Sequence, residues 1–451
     1  GFLWVLADEG VKRVDMDGFI DNQGNFGADG IVGPHHEKEG SYYTIKQLWS
    51  PVQVMNTAID RNFDGKLSVE NRYDYLNLNT CRFIWQQVKF PSVTDASNTT
   101  TRILKQGEVQ GSDVAAHGVG VVDIKTSILP ETDALFLTVI DKYGYELWRW
   151  TFPVDKLNRE TEQFSASSGR ASYTETEKGI TVKANGRTFV FSKKDGQLKD
   201  VSVNNRKISF ANGPRFIGAR RADRSLDQFY NHDDEKAKAK DRTYSEFTDA
   251  AVFTKLDVKE EGGNLILTAN YKLGNLDKAQ WTIHPDGMAT LDYTYNFSGV
   301  VDLMGICFDY PEEQVLSKRW LGAGPYRVWQ NRIHGTQYDI WENDYNDPIP
   351  GETFTYPEFK GYFGSVSWMS IRTKEGTISL TNETPDSYIG VYQPRDGRDR
   401  LLYTLPESGI SVLNVIPPVR NKVNSTDLCG PSSQPKWVDG SQTGRLVIRF
   451  E

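Results

Sequence analysis

The chain has 451 residues, more than one hydrophobic core usually serves, so two or three domains of roughly 100 to 250 residues each are expected. Its 60 acidic residues outnumber 52 basic ones, for a net charge of −8. That leaves no basic stripe to neutralise a phosphate backbone, which argues against nucleic acid as a partner. No apolar run approaches the ~18 residues a membrane-spanning helix needs.

Composition favours strands: 21 Tyr, 22 Phe and 11 Trp supply β-formers, while 39 Gly and 19 Pro supply turns. Phe2 to Leu6 reads as a short apolar strand, and Gly1-Phe2-Leu3-Trp4-Val5-Leu6 looks like a start in mid-strand, so more chain is expected before it. Asp15 to Gly33, rich in Gly and Asp, reads as a loop. Ser41 to Trp49 has helical apolar spacing, and Pro51 stops that helix because the residue before a proline disfavours the α conformation.

From Val52 onward, strand patterns recur at short intervals: Val52 to Ile59, Leu67 to Tyr75, Phe83 to Phe90, Gly118 to Ile124, Leu135 to Ile140 and Glu146 to Phe152. This spacing over about a hundred residues predicts an immunoglobulin-like β-sandwich. Asp155 to Gly169 reads as a polar linker. Strands then continue to the end, as in Phe189-Val190-Phe191, the Asp195-Gly196 turn into Leu198, and Leu291 to Tyr295. So much antiparallel strand requires a large double sheet. The charged island Asp233 to Asp241 reads as a solvated loop or a short helix.

Three stretches in this order are similar to family 2 glycoside hydrolases. Trp4-Val5-Leu6-Ala7-Asp8-Glu9-Gly10 resembles their last barrel strand. Gly196-Gln197-Leu198, with Gly213-Pro214-Arg215-Phe216, resembles the opening of their C-terminal β-domain. Trp320-Leu321-Gly322-Ala323-Gly324-Pro325, followed by Arg332, resembles that domain's W-x-G-x-G-P signature. The resemblance implies a mainly β chain in three parts: residues 1–50 as the βα end of a (β/α)8 TIM barrel, 51–153 as the immunoglobulin-like sandwich, and 165–451 as a galactose-mutarotase-like supersandwich.

In such enzymes both catalytic glutamates lie on earlier barrel strands, so no catalytic residue is expected in this chain. Retaining hydrolysis needs two carboxylates about 5 Å apart across the bond. Asp8 and Glu9 cannot replace them, because neighbours on a strand point to opposite faces. The resemblance implies substrate-binding roles for Trp4, on the floor of the sugar pocket, and Trp437, stacked on the leaving group. It also implies one for Asp29, where the β-galactosidase branch has the Asn of an Asn-Gly that helps hold sodium and the galactose 6-hydroxyl. Trp329, Asn331-Arg332 and Pro357-Glu358-Phe359-Lys360-Gly361 depart from that branch, which opens the substrate to other β-glycosides.

The remaining chemistry-bearing residues have plainer readings. Asp60-Arg61-Asn62-Phe63-Asp64-Gly65 matches the first half of an EF-hand loop. Position twelve is Asn71 instead of Glu and strands flank it, so a turn is expected. The adjacent His35 and His36 lack metal-site spacing, and neither His284 nor His334 falls in a mutarotase-like motif. Cys81, Cys307 and Cys429 are too few and too scattered for a disulfide framework or zinc site, and read as buried thiols. No cofactor or metal is expected. The expected partners are carbohydrate, the N-terminal domains of the same enzyme and a second copy of the chain in a homo-oligomer. A bacterial periplasmic or secreted location is the working expectation. The rival reading is a non-catalytic carbohydrate-binding module.

Overall fold

The computed structural model describes residues 3–21, 30–33, 35–94, 100–154, 169–221, 244–247, 249–344, 361–384, 386–391, 406–418 and 430–451. Residues 155–168 of the expected linker, the charged island and Cys429 lie outside these residues.

Residues 52–153 form a sandwich of a three-stranded and a four-stranded antiparallel sheet. Val52–Val54, Lys66–Asn71 and Val119–Asp123 make the first; Arg102–Gln110, Arg82–Lys89, Ala134–Ile140 and Glu146–Pro153, in that spatial order, make the second. In chain order, strands one, two and five face strands four, three, six and seven, which is the crossing pattern of an immunoglobulin-like sandwich. Alternation drives it: Leu67, Val69 and Asn71 turn inward, as do Phe83 and Trp85. Arg102–Gln110 was not predicted. It is an edge strand, with its residues exposed or half-buried, so it lacks the alternating apolar signal.

From Ser172 onward, the described chain forms a supersandwich of an eleven-stranded and a nine-stranded sheet around one shared core. The nine-stranded sheet runs Val252–Glu261, Asn264–Lys272, Leu276–Ile283, Ala289–Val301, Lys436–Phe450, Thr377–Asn382, Trp368–Thr373, Val315–Gly324 and Gln337–Asp344. Its longest pairing joins Ala289–Val301 to Lys436–Phe450, from Ala289↔Ile448 to Val301↔Lys436. Trp281, Tyr293, Tyr295 and Trp320 are buried between the sheets with Phe189, Phe308 and Ile410.

The W-x-G-x-G-P signature is a packing device. Trp320 is fully buried and its Nε1 donates to the Ala323 carbonyl at 2.9 Å. Gly324 leaves room for the Trp341 ring, where any Cβ would collide. Leu321 belongs to a separate apolar cluster with Trp368, Val88, Phe90, Ala134 and Phe136 that joins the two sandwiches. Around that cluster Trp368 Nε1 donates to the Pro91 carbonyl at 3.2 Å, and Asp339 accepts from Arg149 at 2.9 Å and from Thr101 at 2.8 Å.

The N-terminal part departs from expectation. Within the described residues, Leu3 to Leu6 is not laid down as a strand, and Ala7 alone makes an isolated parallel bridge, to Val32. A strand exists only by pairing, and the backbone of Leu6 and Asp8 is bonded to the short 30–32 segment. Around the start of the expected loop lies a small hairpin, Val11–Arg13 against Phe19–Asp21. It turns through Asp17 and Gly18, both at positive φ, a dipeptide that signals such turns. The helix Gly40–Leu48 is where its periodicity put it.

Candidate functional site

The N-terminal segment is tied to the supersandwich through one bracket, residues 326–336. The Tyr326 ring lies 5.3 Å from that of Tyr43, and its hydroxyl donates to the Gly335 carbonyl at 2.6 Å. Thr44 Oγ1 donates to the His334 carbonyl at 2.8 Å, and the Gly335 N–H donates to Gln47 Oε1 at 2.6 Å. Gly40, first in the helix, lies beside the Tyr326 ring and the Arg332 guanidinium. On its other side the bracket holds the turn before the last strand: Gln330 Nε2 donates to the carbonyls of Ser432 and Gln434, and Asn331 Nδ2 to Ser433 Oγ.

Trp4 and Trp437 stand on the two parts this bracket joins. Trp4 is 84% exposed and Trp437 is 69% exposed. Trp437 sits opposite Val300 near the start of Lys436–Phe450. Its neighbour Val438 packs on the core, so alternation turns the indole to the outer face. Asp29 lies outside the described residues, although the adjacent Gly30 N–H donates to Asp8 Oδ1 at 2.7 Å.

A buried carboxyl pair lies beside this corner. Asp8 and Glu39 are almost fully buried and hydrogen-bonded to each other. Burial is the largest influence on Glu39; the charge of Asp8 and their shared hydrogen bond add to it, and the carboxyl is pushed up to about 8. The nearby Arg332 charge opposes this rise, while Glu37 adds slightly to it. Arg332 is itself held below the ordinary guanidinium value by desolvation, with Glu39 acting in the other direction. Glu9 is exposed. Sequence reasoning considered Asp8 with Glu9 as a pair, rejected it, and missed Glu39, 31 positions from Asp8, because nothing local marks a pair made by a loop folding back. The one available signal was an acidic residue at the helix N-terminus, a common and uninformative feature.

The other candidates are structural. Asp60 Oδ1 and Asp64 Oδ1 accept from the N–H groups of Asn62 and Lys66, and Gly65 has φ +87°, so the segment is a turn. His35 and His36 are exposed, and no group of metal-binding side chains occurs among the described residues. His284 is buried with Nε2 3.0 Å from Thr290 Oγ1, and burial lowers its pKa. Cys81 and Cys307 are free and buried, and desolvation pushes the Cys307 thiol up to about 12. No helix among the described residues is long and apolar enough to cross a membrane.

Fold and corner together define an antiparallel β-protein of sandwich and supersandwich, with a short N-terminal segment clamped against it. The chain belongs to the family described as beta galactosidase small chain, whose model matches residues 183–413. It is also 21% identical over 420 residues to a β-galactosidase of Priestia megaterium (strain DSM 319 / IMG 1521), covering 85% of this chain and 38% of that protein. The chain thus spans well under half of that relative's length. Among solved structures it is similar to a galactose 1-epimerase from Lactobacillus acidophilus NCFM, with a TM-score of 0.33 and 10% identity over 63% of this chain and 99% of that one. A cycloalternan-forming enzyme from Listeria monocytogenes is similar at a TM-score of 0.20 and 9% identity, over 89% of this chain and 30% of that one.

Proposed function

We propose that this chain is the C-terminal accessory part of a retaining family 2 hydrolase of β-galactosides or related glycosides. In this reading it completes the barrel, walls the sugar pocket and does not hydrolyse glycosides alone. The carrying observation is the position of its exposed apolar surface. Of the 21 large hydrophobic side chains exposed among the described residues, ten fall between Leu3 and Met55, including Trp4, Val14, Phe19 and Trp49. Such a concentration supports a surface that other protein covers. The segment 1–50 would find its strand partners in the preceding part of the barrel, with 51–153 and 165–451 as the further domains.

In the assembled enzyme, Trp4 floors the glycone site, Trp437 faces the leaving group, and Asp29 lies at the pocket rim. One glutamate of the preceding part acts as general acid/base and another as nucleophile. The Asp8–Glu39 pair cannot stand in for them. Two carboxyls sharing a hydrogen bond are about 2.5–3 Å apart, which leaves no room for a glycosidic bond between them.

The test pairs this chain with a polypeptide carrying the preceding barrel strands. Alone, it releases no dye above blank from p-nitrophenyl β-galactoside; with its complement, turnover appears. Trp4→Ala and Trp437→Ala then lower kcat/KM of the complex while leaving the chain's stability within about 0.5 kcal/mol. Turnover by the chain alone would sink the reading.

A further inference from the structure

Two adjoining cavities, of about 880 and 400 Å³, share Ala323, Thr336, Ser365 and Asp386 and so form one trough. One wall comes from the immunoglobulin-like sandwich, through the 57–63 loop and the strand Glu146–Pro153, and the other from the supersandwich. We propose that this trough is a binding groove for a neutral oligosaccharide.

Its size suits a ligand of several rings, since small-molecule sites span roughly 300–1,000 Å³. Its chemistry selects the ligand class. Among the described residues, no Lys, Arg or His lines either cavity. A phosphate, sulfate or uronate would therefore enter without a cation to pair with, at a steep desolvation cost. The carboxylates of Asp60 and Asp386, the amide of Asn382 and several Ser and Thr hydroxyls instead offer acceptors and donors to sugar hydroxyls. Phe63, Tyr338 and Tyr388 supply aromatic surface for the C–H faces of pyranose rings.

Two further observations point to this trough. Ser365 (φ +50°) and Asp386 (φ +48°) are non-glycine residues held in the left-handed region where the cavities join. Each costs on the order of 1 kcal/mol or more, and such strain gathers at binding sites. On the facing strand, Thr151 Oγ1 is buried and has no hydrogen-bond partner among the described residues.

The groove stands or falls apart from the accessory role, because its residues do not include Trp4, Trp437 or the apolar N-terminal surface. The test is calorimetric titration of the whole chain with β-1,4-galactotetraose, cellotetraose and tetragalacturonate. At least one neutral tetraose binds and tetragalacturonate does not. Thr57→Trp, which fills the groove from an exposed loop position, and Asp386→Asn, which keeps the shape and removes the charge, each weaken binding by about tenfold or more. Trp437→Ala leaves it unchanged. Circular dichroism confirms that both groove variants fold; should one fail, the other carries the comparison. Absence of binding by both neutral tetraoses, binding indifferent to the groove variants, or binding lost with Trp437→Ala overturns the proposal.

Discussion

Replacing Glu39 by glutamine separates the cost of the buried carboxyl pair from every other contact in the N-terminal corner. In the unfolded chain Glu39 titrates near 4.5; in the folded chain it titrates near 8, under burial, Asp8 and, more weakly, Glu37, with Arg332 opposing them. Below pH 4.5 both states hold the proton, so folding costs nothing extra at this site. As pH rises through 8, the unfolded chain has already released that proton and the folded chain must release it into a buried site beside Asp8. Stability therefore falls with rising pH across this window and stays low above it. At 1.36 kcal/mol per pH unit, the span from 4.5 to about 8 sets a ceiling of about 5 kcal/mol. Glutamine is neutral throughout and keeps an N–H donor for Asp8. Glu39→Gln should thus match the parent chain at pH 4.5 and unfold at a higher temperature at pH 8.5. Thermal unfolding across pH 4 to 9, followed by tryptophan fluorescence, reads the difference directly. Parallel profiles, or a variant weaker at pH 8.5, would refute the buried pair.

Other outcomes follow from packing. Trp368→Ala empties the cluster joining the two sandwiches and removes the bond to the Pro91 carbonyl, so stability should drop by about 3–5 kcal/mol in a denaturant titration. Gly444→Ala drives a methyl into the ring of the buried Tyr293 and should cost about 1–3 kcal/mol in the same assay, although it adds only one carbon. Iodoacetamide should leave Cys81 and Cys307 unmodified in the native protein and label both in denaturant, as peptide mass mapping would show.

Much of the architecture was legible in the sequence, because half-buried strands write their pattern locally. Phe83, Trp85 and Leu135 announce their strands by alternation, and Tyr42, Tyr43 and Ile45 announce the helix. Arg102–Gln110 was invisible because an edge strand with little to bury has no such pattern. The Phe2 to Leu6 strand was over-read for the opposite reason: the residues favour a strand, but hydrogen-bond partners decide whether one forms. At the candidate corner, Trp4 and Trp437 were named by resemblance. The Asp8–Glu39 pair was not, since long-range proximity of two acids leaves no trace in spacing. Arg332 was noticed only as part of a signature, while its effect depends on the fold of the 326–336 bracket.

The strand Lys436–Phe450 sits inside the nine-stranded sheet, between Ala289–Val301 and Thr377–Asn382. During synthesis, the four strands on one side and the four on the other are complete before the piece that joins them has left the ribosome. Each half then presents an unpaired edge, the kind of surface that recruits strands from other chains. Closing the sheet also means pairing segments well over a hundred residues apart, which is intrinsically slow. Residues 436–450 thus work as a zipper pulled last, and a chain stalled or clipped before them would be left with two sticky half-sheets.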